Sequence, residues 1–158
     1  MVKKSAGILF YRFHKNLPEV LLVHPGGLFW SKKDQGAWSI PKGEFAEDES
    51  PLDAAKREVK EELGINASGN FIELTPVKQK SGKVIYAWAL ESDFDTATIK
   101  SNLFEIEWPP NSGEKKSFPE VDKAAWLSIE EAKEKINLGQ VQLIEELRKK
   151  VSSFSLKS

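Results

Sequence analysis

The chain has no cysteine and only two histidines, His14 and His24. The first absence excludes disulfides and thiolate metal sites, and the second argues against a metal centre built from imidazoles. Any metal here would be held by carboxylates, which suit Mg, Ca or Mn. An excess of one charge is also missing. Lys and Arg number 23 against 24 Asp and Glu, a net charge of -1. No global field draws such a chain to nucleic acid or to an anionic membrane, so DNA and membrane partners are not expected. An anionic ligand must instead meet local positive charge. Long apolar runs are absent too. The run after Lys3-Lys4 ends at Arg12 after about six residues, short of a signal-peptide core, and no stretch approaches the roughly 20 residues of a membrane span. The expected location is cytoplasmic, as a monomer or homodimer.

What is present is ordinary globular material, 158 residues with 40% hydrophobic and 30% charged. That length predicts one domain over 1–158, with about 152–158 a frayed tail. No repeat, low-complexity tract or interdomain linker stands out. Ala6 to Phe13 and Glu19 to Val23 read as strands joined by a turn at Lys15 to Pro18. Residues 25–37 read as a Gly- and Lys-rich loop, and Trp38 and Ile40 flank a short extended piece ending at Pro41. Further strands are predicted at about 70–75, 84–91 and 104–108, and from Glu120 to Leu127, with PPNSGEKKS as a loop carrying a basic tip. Helices are predicted from Ser128 to Ile136, with Ser128 and Glu131 as a capping box, and from Val141 to Val151.

The best-marked helix begins at Ser50, a credible N-cap followed by Pro51 and Asp53, and stops at Gly64. Leu52, Ala55, Val59 and Leu63 form its apolar stripe. Beside that stripe Glu58, Glu61 and Glu62 span an arc of roughly 100°. Like charges three and four residues apart each cost a few tenths of a kcal/mol, and Glu61 and Glu62 also oppose the helix dipole. A solvated acidic face is one reading. A divalent-cation site is the other, because a cation turns repulsion into shared ligation.

The residues upstream favour the second reading. Gly43, Glu49, Arg57, Glu58, Val59, Glu61, Glu62, Gly64 and Ile65 resemble the Nudix box, G-x5-E-x7-R-E-U-x-E-E-x-G-U, where U is bulky and aliphatic. Every defined position matches, an event expected by chance on the order of once in ten million such chains from residue frequencies. The resemblance implies an α+β chain with the Nudix fold, an α/β/α sandwich around a mixed β-sheet. It implies a pyrophosphohydrolase that uses Mg2+ or Mn2+, with Glu58, Glu61, Glu62 and the Gly43 carbonyl holding metal. Arg57 is expected to pair with Glu49 and brace loop against helix. The general base is either a box glutamate or a later one. Glu120 is the preferred late candidate and Glu107 the other. A Nudix domain that senses ligand without turnover usually carries a degraded box, and this box is intact.

The segment WSIPKGE, residues 38–44, is similar to one in Nudix hydrolases of diadenosine polyphosphates and of diphosphoinositol polyphosphates, and the wider pattern AGILFYR…VLLVHPGG…W…WSIPKGE looks like a group of small bacterial Nudix proteins. It predicts Lys42 as a phosphate contact, with Trp38 beside it. Dinucleoside tetraphosphates are the favoured substrates. Nucleoside triphosphates (oxidised ones included), RNA 5′ ends and inositol pyrophosphates are the alternatives. Neither the extension that marks NADH-type pyrophosphatases nor the proline common in ADP-ribose hydrolases follows the box. Arg12, Lys32, Lys33, Lys78, Lys80, Lys83, Lys115 and Lys116 are cations available to a phosphate chain, Arg12 and Lys80 foremost. Phe29, Trp30, Tyr86 and Trp88 are candidates to stack a base, although Tyr86 and Trp88 alternate along one strand face and suit the core equally. Trp108 and Trp126 read as core, and His24 as capping a strand end.

Overall fold

The computed structural model describes residues 3–25, 34–99, 103–107, 110–119 and 121–155. In chain order the elements are β1 (Lys4–His14), β2 (Leu17–Pro25), β3 (Lys42–Glu44), α1 (Pro51–Leu63), β4 (Ile72–Glu73), β5 (Val77–Lys78), β6 (Val84–Glu91), β7 (Leu103–Glu107), β8 (Lys115–Pro119), β9 (Val121–Ser128), α2 (Ile129–Lys135) and α3 (Val141–Ser155). A seven-stranded mixed sheet runs β4-β6-β1-β2-β9, with β3 added to β1 and β5 to β6, while β7 and β8 form a separate hairpin. Among the strand pairs of the described residues, β1 and β6 alone run parallel. The turn between β1 and β2 places Lys15 and Asn16 both at positive φ, the backbone pattern that matches strand twist in a tight hairpin.

Side-chain alternation along β1 sorts the core into two layers. Ala6, Ile8 and Phe10 face α1, where they meet Ala54, Ala55, Val59 and Leu63. Leu9 and Tyr11 face the other side, where Ala132, Leu143, Ile144 and Leu147 of α2 and α3 cover them. The result is the expected sandwich, helices on both faces of a mixed sheet. The expected caps form as well. Ser50 Oγ accepts from the Asp53 N–H at 3.3 Å, and Ser128 Oγ from the Glu131 N–H at 3.2 Å. Gly64 ends α1 at φ 73°, a conformation that suits glycine, and its N–H closes on the Lys60 carbonyl.

Four elements differ from the sequence reading. The strand expected at 70–75 is only Ile72–Glu73, because Pro76 has no N–H for the ladder, and pairing with β6 resumes at Val77–Lys78. The predicted basic loop is a hairpin. The chain reverses at Asn111 and Gly113, both at positive φ, and Lys115 and Lys116 lie in β8 against β7. The helix expected to fray after Val151 runs to Ser155. The short strand β3, which places the loop before α1, had no distinct sequence signal. Among the described residues no helix is long and apolar enough to cross a membrane.

Candidate active site

The site is built where β3 meets α1. β3 pairs antiparallel with β1, Ala6 opposite Gly43 and Gly7 opposite Lys42. Gly43 therefore shares the α1 side of the sheet with Ala6, while Lys42 turns to the other side. Glu58 points inward with the apolar stripe and is only 9% exposed. Its carboxylate fills the space a side chain at 43 would need, since a Cβ there would lie 2.0 Å from Glu58 Oε2. A glycine is thus required at 43 by close approach to the carboxylate.

Arg57 organises the acidic turn. Its Nε and one terminal nitrogen donate to the two Glu49 oxygens, both at 2.9 Å, the paired geometry that guanidinium and carboxylate favour. Its other terminal nitrogen, Nη1, donates to Glu58 Oε1 at 2.8 Å and reaches Glu61 Oε1 at 3.4 Å. These hydrogen bonds hold the Glu49 carboxyl below its ordinary range and raise the Arg57 guanidinium. The repulsion between Glu58 and Glu61 is thus offset by one cation shared between them. Among the described residues no three acidic or imidazole side chains are drawn together tightly enough to hold a metal as they stand. The hard carboxylate oxygens of Glu58, Glu61 and Glu62 nevertheless fit a divalent cation in their chemistry.

Lys42 lies on the opposite side of β3, half-buried in the lining of a cleft of about 230 Å3 that it shares with Glu62, Trp38, Ile40, Asn137 and Gln140. Burial pushes the Lys42 ammonium below its ordinary value and Lys83 adds to this, against the opposing pull of Glu62, Glu44 and Glu58. Such a cation gains from an arriving anion. Lys83 is itself paired with Glu44 at 3.1 Å, and that bond lowers the Glu44 carboxyl.

The segment carrying Lys42 is fastened from both sides. Ser39 exchanges backbone bonds with Val23, and Trp38 does so with Lys135 and Asn137. Gln140, 1% exposed, accepts from the Ile40 N–H at 3.1 Å through Oε1 and donates to Ser39 Oγ at 3.2 Å through Nε2. The sequence reading missed Gln140. Its partners lie 100 residues away, and no local pattern announces it.

Other predicted site residues fall elsewhere. Arg12 lies five residues along β1 from Gly7, roughly 16 Å at strand rise, where it pairs with Glu19 at 2.9 Å and Asp93 at 3.0 Å and covers the Trp126 ring. The fold therefore turns it away from the cleft. Tyr86 stands opposite Ala6 on the α1 side, half-buried and edge-on to Phe45, and Trp88 is in the same core layer. Trp38 lines the cleft but is only 6% exposed, and its indole N–H is already donated to Asp34 at 2.8 Å. It serves as wall more than as a free stacking surface. His24, buried, packs edge-on to it. Lys80 is exposed beside a neighbouring cavity. Glu120, Phe29, Trp30, Lys32, Lys33 and Trp108 lie outside the described residues.

Comparison with known proteins follows this geometry. The sequence model of the NUDIX domain matches residues 1–147. Nudix hydrolase 5 of Arabidopsis thaliana is 30% identical over 126 residues, 79% of this chain and 36% of that protein, so the chain spans little more than a third of this relative. The RNA pyrophosphohydrolase of Hydrogenovibrio crunogenus is 39% identical over 57 residues, 35% of this chain and 34% of that one. Among solved structures, a C. elegans Ap4A hydrolase binary complex superposes with a TM-score of 0.68 at 18% identity, covering 94% of this chain and 98% of the other.

Two outcomes follow from the site's bonding. Because Arg57 depresses the folded Glu49 pKa, the brace contributes fully above the unfolded carboxylate value, about 4.3, and is lost as pH falls through the lower folded value. Urea unfolding from about pH 5 to about pH 3 should therefore cost the native chain more stability than the Glu49→Gln variant. Equal losses would contradict the brace. Separately, Gln140→Leu strands the buried Ile40 N–H and should lower unfolding free energy by about 1–3 kcal/mol. An unchanged denaturation midpoint would show that the staple carries no weight.

Proposed function

The chain belongs to the Nudix family, and from that premise we propose that it is a pyrophosphohydrolase acting with Mg2+ or Mn2+ on a phosphoanhydride of a nucleoside polyphosphate, with dinucleoside tetraphosphates favoured. The observation that carries this reading is the buried Glu58 carboxylate in the space left by Gly43, with Lys42 across the same short strand. Glu58, Glu61, Glu62 and the Gly43 carbonyl are the proposed metal ligands. When bound, the cation supplies charge neutralisation for the pyrophosphate and acidifies the attacking water.

The chain's own groups do the rest. Lys42, held in the cleft wall with its charge disfavoured by burial, takes a phosphate oxygen. Arg57 keeps Glu58 and Glu49 in register between helix and loop. The Nη1 contact to Glu61, at 3.4 Å against 2.8 Å to Glu58, is the easier of those two to exchange. Water adds to phosphorus, its proton passes to a carboxylate, and the bridging oxygen leaves with the departing phosphate. Glu120 is the proposed acceptor of that proton, with a box glutamate as the other candidate. Lys78, Lys80 and Lys83, on the β5–β6 hairpin and its turn, supply positive charge for a chain of several phosphates. A second reading, action on a triphosphorylated RNA 5′ end, is favoured by the local similarity to an RNA pyrophosphohydrolase.

The test is hydrolysis of a panel with Mg2+: diadenosine tetraphosphate, ordinary and oxidised nucleoside triphosphates, triphosphorylated RNA, ADP-ribose and an inositol pyrophosphate. Diadenosine tetraphosphate should lead, and Glu61→Gln should lose more than roughly 100-fold, beyond what removal of an outer-shell partner costs. A fully active Glu61→Gln would sink the metal assignment, and a lead by RNA would select the second reading.

A further inference from the structure

A second cavity of about 820 Å3 adjoins the cleft, within the roughly 300–1,000 Å3 of small-molecule sites. Gly36, Gln79 and Asn137 line both spaces and so mark the junction. The far walls are the turn at Lys80 and Ser81 and the single 3-10 turn of Leu138–Gln140. The two walls are fitted closely. A Cβ at Gly139 would come within 2.9 Å of Gln79 Cγ, so the approach depends on that glycine. Backbone bonds from Gln79 N–H to Lys83 and from Gly82 N–H to Gln79 lock the opposing turn.

The two amides at the junction are half used. Gln79 Nε2 donates to Asn137 Oδ1 at 3.2 Å, and the same oxygen takes the Gly139 N–H at 2.9 Å. These bonds use one N–H of the Gln79 amino group and the Asn137 carbonyl oxygen. The Gln79 carbonyl oxygen, its second N–H and the Asn137 amino group form no part of them, which leaves both an acceptor and donors at the junction. A nucleobase edge offers the matching pair, a donor next to an acceptor. Leu138, 79% exposed, adds apolar surface for a ring face, and Lys78 and Lys80 stand on the rim.

We propose that this trough seats the nucleobase of the substrate and that Gln79 and Asn137 read its edge. The inference rests on the phosphoanhydride reading for where the phosphates lie, at Lys42 and Glu62. A nucleotide anchored there carries its base past the junction and into the trough.

The test is binding, followed by the side-chain amide NMR signals of 15N-labelled protein with Mg2+ present. ATP should shift the Gln79 and Asn137 amide signals, and inorganic triphosphate should leave them in place. Asn137→Ser keeps an oxygen to cap the 3-10 turn and adds no charge, yet removes the amino group. It should weaken ATP binding by about tenfold while inorganic triphosphate binds as before. Gly139→Ala, which pushes Gln79 away, should give the same selective loss. Unmoved amide signals, or equal weakening of both ligands by Asn137→Ser, would overturn the proposal. The two readings fail separately. Amide shifts without any turnover in the panel would leave the base site standing and remove the hydrolase, and turnover without amide shifts would do the reverse.

Discussion

Everything in the site depends on one guanidinium. Arg57 ties Glu49 of the loop to Glu58 and Glu61 of the helix, and without it the Glu58 and Glu61 carboxylates would repel one another near the end of the helix that least favours them. Two of these groups are part-exposed, so the individual pairings count for little as stability. Their importance is positional. Arg57 and Gly43 together fix where the Glu58 oxygens lie, one by hydrogen bonding and the other by leaving room.

The short strand β3 divides the chemistry. Alternation sends Gly43 toward α1 and its carboxylates, and Lys42 toward the cleft between the sheet and the α2–α3 connection. Glu58 thus lies against Gly43 on one side of three residues and Lys42 on the other, while Glu62 at the end of α1 reaches the cleft that Lys42 lines. Gln140 and the backbone bonds of Trp38 and Ser39 hold the segment that feeds this strand, so the helices on the second face help to position a site made on the first.

Much of this was legible in the sequence where the determinants are local. Helix α1, its caps, its apolar stripe and its acidic arc all follow from spacings of three and four residues, and the box places Arg57, Glu49 and Gly43 within 15 residues of one another. Determinants that act across the chain were not legible. The Arg12 partner Asp93 is 81 positions away, and only the register of β1 with β6 shows that this arginine is spent at the far end of the strand. Trp38 reads as a substrate contact beside Lys42, but bonds to the end of α2 bury it and Asp34 takes its N–H. Gln79 and Asn137 lie 58 residues apart and carry no pattern at all; they meet because Gly139 lets two turns close on each other.

The most direct measurement is Mn2+ binding by electron paramagnetic resonance, comparing the native chain with Gly43→Ala. The native chain should take up Mn2+. A methyl group at 43 should displace the Glu58 carboxylate and abolish or sharply weaken that uptake, with the folded structure retained by circular dichroism. Undiminished Mn2+ binding by a folded Gly43→Ala chain would contradict the claim that Glu58, placed against Gly43, is the heart of a metal site.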